Sequence, residues 1–143
     1  LQLGNCYLGA GRYDEAEAAY RAVVSNLSEE SDDNFLLTEA KVGLAQVLLG
    51  RGEWAQARRE LAALEARAAG RVLPPGYIGN LHFAFAQALW GPEDRRPAPA
   101  EAARAREHAA LAIRDFTGVP GAEPTLAEIE AWQAAHAAAR SER

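Results

Sequence analysis

The chain holds few residues able to make or break a covalent bond. Its one thiol, Cys6, stands between Asn5 and Tyr7 with no histidine near it in sequence. A nucleophilic thiol needs a basic neighbour and access to solvent, so Cys6 reads as a buried structural residue. The three imidazoles, His82, His108 and His136, form no i, i+4 pair and have no second cysteine beside them. Metal ligation needs such clustering, and no metal or other cofactor is expected. Carboxylates are plentiful but gather in one run, Glu29, Glu30, Asp32 and Asp33. An acid–base pair needs two contrasting environments, which a solvated run does not provide. Asn26-Leu27-Ser28 spells a glycosylation triplet, without consequence where no secretion leader is seen. No catalytic residue is expected, and the chain is read as a non-enzyme.

Amides remain. Asn5, Gln46 and Gln87 recur at one constant interval along the chain. An amide both donates and accepts, so a row of them can track an extended peptide without dictating its side chains.

The elements that would position these amides follow from composition and repetition. In 143 residues, 49% are apolar and 24% charged, an ordinary globular balance for about one domain. Alanine, the strongest helix former, makes up close to a quarter of the chain. No apolar run exceeds five residues (109–113), far below the roughly 20 a membrane span needs. Residues 1–40 hold two bases and eight acids, residues 41–143 thirteen bases and twelve acids. Neither part has the dense basic face that nucleic acid attracts, so no nucleic acid and no membrane insertion are expected. A single cysteine, no leader and an almost complete preference for Arg over Lys fit a cytoplasmic protein from a GC-rich bacterial gene.

Leu3–Gly11 (LGNCYLGAG), Leu44–Gly52 (LAQVLLGRG) and Phe85–Gly91 (FAQALWG) begin at the same interval as the amides, an offset of 41. Tyr13–Tyr20 matches Trp54–Leu61 at that offset too. Apolar stripes at helical spacing, such as Ala16, Tyr20, Val23 and Ala57, Leu61, Leu64, run on either side of turns at Gly11 and Gly52. Each unit is therefore a helix, a short turn and a helix. Small residues at Gly4, Ala45, Ala86, Ala16 and Ala57 would let helices approach closely. Trp54 matches Tyr13 and reads as core, and Trp90 as partly exposed. Helices are expected near 1–10, 13–27, 34–50, 53–69, 76–90, 99–116 and 125–140. Ser28–Asp33 reads as an acidic loop, Pro75 as a first-turn residue, and Thr125 with Glu128 as a capping box. The third unit is seven residues longer between its helices, which places a surface loop at 92–98.

Leu3-Gly4, Tyr7, Gly11, Ala16 and Tyr20 resemble a tetratricopeptide repeat. The second unit keeps Leu44, Ala57 and Leu61; the third matches at Phe85-Ala86, Leu89, Ala105 and Ala109. The final Pro is replaced by Ser28, and the period is 41 rather than 34. TLAEIEAWQAAH from Thr125 is similar to the closing helix of arrays in large bacterial serine/threonine kinases and multidomain regulators. Leu126, Ile129, Trp132 and His136 are spaced to cover the end of such a solenoid.

The resemblance implies an all-α fold, a right-handed α-α superhelix with units at about 1–33, 34–74 and 75–118 and a capping helix at about 125–140. It implies one domain, 1–143, cut from a longer protein, because Leu1 would fall inside a helix. It also implies a non-catalytic scaffold binding a peptide or partner segment in a concave groove, contacted by Asn5, Glu39, Gln46, Asn80, Phe83, Gln87 and Trp90. The basic residues of the family's carboxylate clamp are missing from the matching positions. The competing reading is an intramolecular regulatory or dimerisation segment of a larger kinase or transcriptional regulator, self-associating through the open N-terminal repeat face.

Overall fold

The computed structural model describes residues 2–27, 35–71, 74 and 76–137. Among them are seven helices and no strand: α1 (Gln2–Gly9), α2 (Tyr13–Asn26), α3 (Phe35–Gly50), α4 (Trp54–Ala68), α5 (Gly79–Trp90), α6 (Pro99–Phe116) and α7 (Glu123–Ala135). None is long and apolar enough to cross a membrane. The helices pack as two compact units, Leu1–Arg71 and Val72–Arg143. The acidic run 28–33 and the start at Pro75 lie outside the described residues.

In the first unit the two hairpin turns are built alike. Gly11 takes a φ of 74°, and its N–H donates to Leu8 O at 3.0 Å while Arg12 N–H donates to Tyr7 O at 2.9 Å. Gly52 takes 78°, with Gly52 N–H on Leu49 O at 3.1 Å and Glu53 N–H on Leu48 O at 2.9 Å. This pair of bonds closes a helix end when its C′ residue enters the left-handed region, where glycine has no Cβ penalty. Turn and hydrogen bonds thus recur at the offset read from the sequence.

Tyr20 is the key of this unit's core. It is wholly buried with Ala16, Ala40 and Val47. Its ring lies between Gly4 of α1 and Gly43 of α3; a Cβ on Gly4 would come within 2.7 Å of it, and one on Gly43 closer still. The small positions Gly4, Ala16, Ala45 and Ala57 are all buried. Trp54, expected in the core, is only half-buried.

In the second unit α5 packs on α6, and α6 on α7. The core joins Phe83 and Ala86 of α5, Ala109, Ala112 and Phe116 of α6, and Ile129 of α7. Gly76, with φ 93°, holds 76–78 out of the expected helix, and α5 begins at Gly79. Its first N–H donates to the Asp115 carboxylate of α6 at 2.7 Å. A carboxylate there meets both an orphan donor and the positive end of the helix dipole.

Two boundaries need correcting. Thr125 and Glu128 do not cap α7, which starts at Glu123 with Pro124 in its first turn and no side-chain cap. Proline loses no bond there, since first-turn N–H groups have no intrahelical partner. At the other end α7 stops at Ala135, earlier than expected.

Candidate functional site

In the first unit, Glu39 and Gln46 lie seven residues apart, two turns of α3, and so share one face. Both are half-buried. Burial pushes the Glu39 carboxyl above its ordinary range. Asn5 is exposed on α1, but its Oδ1 accepts the Tyr20 hydroxyl at 2.5 Å. Burial raises that phenol to about 12. Asn5 therefore has a structural duty that sequence did not reveal: it satisfies the one polar atom of a buried ring. Its amide NH₂ stays available to a partner.

In the second unit, Asn80 is exposed and Gln87 half-buried, again seven residues apart on one helix. Phe83, expected as a groove contact, is instead a core residue, 6% exposed and edge-on to Trp132 with centroids 6.2 Å apart. It falls on the α5 side that meets α6 and α7. Trp90 is half-buried, T-shaped against Trp132 at 6.0 Å and against His136 at 4.7 Å. Its indole N–H is buried without a hydrogen-bond acceptor among the described residues. The Arg106 guanidinium covers the ring at 5.7 Å, and Arg106 Nε donates to His136 O at 2.7 Å, satisfying a carbonyl at the end of α7.

His136 closes this end. Its ring stacks on Trp132 at 4.0 Å, with Nδ1 2.6 Å from Trp132 O and Nε2 2.9 Å from Glu93 Oε2. Glu93 belongs to the inserted loop, which Arg95 also ties down through Glu101 at 3.2 Å. Of the other histidines, His108 is buried and its Nδ1 meets Arg104 O at 2.9 Å. The fold brings His82 within 5.4 Å of it, centroid to centroid, although the two lie on different helices. Cys6 corrects its expectation: it is exposed, because the outer side of α1 carries no neighbouring helix among the described residues.

The sequence reading missed a groove in the first unit. Lys41, Leu44 and Leu48 lie at i, i+3 and i+7 on α3, on the far side of that helix from Glu39 and Gln46. They line a hollow of about 240 Å³ bounded also by Val24 and Arg21 of α2 and by Glu60, Leu64 and Arg67 of α4. At its edge Arg51 pairs with both Asp14 and Glu17, and Arg21 reaches Glu17 at 3.0 Å. Hydrogen bonds from Arg51 and Arg21 hold the Glu17 carboxyl below its ordinary range. The usable sequence signal was Lys41, the only lysine of the chain, three residues before Leu44.

Comparison with family models, curated proteins and solved structures finds no match for this chain.

Proposed function

We propose that the chain is a tetratricopeptide-type interaction module that holds a peptide or partner segment and carries out no catalysis of its own. The observation behind this reading is structural repetition. The hydrogen bonds at Gly11 recur donor for donor at Gly52, and the offset between these turns also separates Asn5 from Gln46. A repeated turn sets a repeated helix face, and equivalent positions on that face carry amides. In the first unit the binding face comprises Asn5, Glu39 and Gln46; in the second, Asn80 and Gln87 hold the positions of Glu39 and Gln46, and Trp90 stands three residues beyond Gln87. Gln46 offers both donor and acceptor to a peptide backbone, Asn5 mainly its NH₂. Such a module would serve within a larger bacterial regulator in the cytoplasm.

The test is selection of binding peptides from a displayed random library on the 143-residue chain, followed by Gln46→Ala and Gln87→Ala variants. The expected result is enriched peptides whose binding weakens in the variants while the helical signal persists. Failure to enrich any peptide, or equal binding by both variants, overturns the reading.

Self-association is the second reading, favoured by Leu3, which is 59% exposed on α1. Sedimentation should then show a dimer that Leu3→Glu dissociates.

A further inference from the structure

The groove between α2, α3 and α4 is chemically unlike the amide face on the other side of α3. Its floor is aliphatic: Val24, Leu44, Leu48 and Leu64. Its rim bears three cations, Arg21, Lys41 and Arg67, against two carboxylates, Glu17 and Glu60. Glu17 is held by two guanidiniums, so its charge is already matched. Lys41 is half-buried and makes no ion pair among the described residues. A cation drawn partly out of water and left unmatched gains from any anion that reaches it.

Size narrows the occupant. The hollow, about 240 Å³, falls below the roughly 300–1,000 Å³ typical of small-molecule and cofactor sites. One or two aliphatic side chains with an adjoining carboxylate fit its volume and its charge.

We propose that this groove is a second docking surface, independent of the amide face, for an acidic peptide segment in which Asp or Glu stands beside an aliphatic residue. The peptide carboxylate meets the Lys41 ammonium, and the aliphatic side chain lies on Leu44, Leu48 and Leu64. Exposed Glu60 on the rim repels a second acid placed toward α4, which sets the direction of the segment.

The test uses the full chain and a fluorescently labelled, end-blocked peptide, Leu-Glu-Leu-Glu-Leu, beside its isosteric counterpart with Gln at both acidic positions. Fluorescence anisotropy should show the Glu peptide binding on the order of tenfold more tightly than the Gln peptide, with the difference shrinking in high salt. Lys41→Gln should abolish that preference and Lys41→Arg should keep most of it. Amide shifts around Lys41, Leu48 and Leu64 should move, and those of Asn5 should not. Equal binding of the two peptides, no binding of either, or shifts confined to α1 each overturn the proposal. Because the peptide pair is compared on the unaltered chain, a poorly folded Lys41→Gln variant does not shield it. Octanoate displacing nothing while the Glu peptide binds supports a peptide occupant; octanoate binding in place of the peptide identifies a fatty-acid site and overturns the peptide assignment.

Discussion

Tyr20 and Asn5 form a pair in which each side chain explains the other. A phenol with no exposed surface keeps its ring in the core only if its hydroxyl finds an acceptor, and Asn5 supplies one. Asn5→Ala leaves that hydroxyl unmatched and should cost about 1–3 kcal/mol in urea unfolding, whereas Tyr20→Phe should cost about 1 kcal/mol. In the double variant the two losses should not add, because they remove one bond; additive losses would deny the coupling. The pH dependence has a definite sign. The folded phenol titrates at about 12 rather than 10.0, so the unfolded chain loses its proton first and stability falls as pH rises across that window. Tyr20→Phe should remove that fall, as well as the phenolate absorbance step near pH 12. Glu39 follows the same logic at acid pH. Its folded carboxyl is raised by burial, so stability declines as pH climbs above 4.5, and Glu39→Gln should be more stable than the parent at neutral pH. None of this was legible beforehand. Register placed Asn5 and Glu39 on a helix face, but a face does not disclose which neighbour reaches across to it.

Among the elements, α7 shows where sequence signals compete. Thr125 and Glu128 have capping-box spacing, yet proline two residues into a helix removes no hydrogen bond, so the helix starts earlier and the box falls inside it. The apolar spacing of α7 was more reliable, because burying Ile129 outweighs any cap. Ile129→Ala, at a site with no exposure, should cost about 3 kcal/mol. Trp132→Ala, half-buried against Phe83 and Trp90, should cost about 2 kcal/mol, less than a full core position. The inserted loop acts on the same element through Glu93, whose carboxylate meets His136. Glu93→Ala should lower stability in urea by an amount on the order of 1 kcal/mol; no change would mean the loop is only a connector.

At the scale of the whole molecule, far-UV circular dichroism should report a predominantly helical protein with almost no sheet, and appreciable strand would contradict both the repeat period and the fold. That period was readable because it repeats helix lengths, and the seven expected helices stand close to their places. What a single sequence could not convey was which faces are covered. Cys6 was read as buried and is exposed; Phe83 was read as a surface contact and is core. Both errors arise because periodicity locates a side chain around its own helix and says nothing of the next helix's distance. The groove escaped for the same reason: a stripe of leucines looks alike whether a neighbour closes over it or leaves a hollow.

The ring of Tyr20 seated on Gly4 and Gly43 bears on how freely such hairpins can be traded. In the second hairpin of the unit the corresponding residues are Leu61 and Ala45, a smaller wedge paired with a larger seat. The seat of Tyr20 spans two hairpins, with Gly4 on α1 and Gly43 on α3. Transplanting α2 alone in place of α4, or the reverse, would set a tyrosine against alanine or leave a leucine over bare glycine. A designer exchanging these helices would therefore have to change wedge and seat together, Gly43 of the following hairpin included.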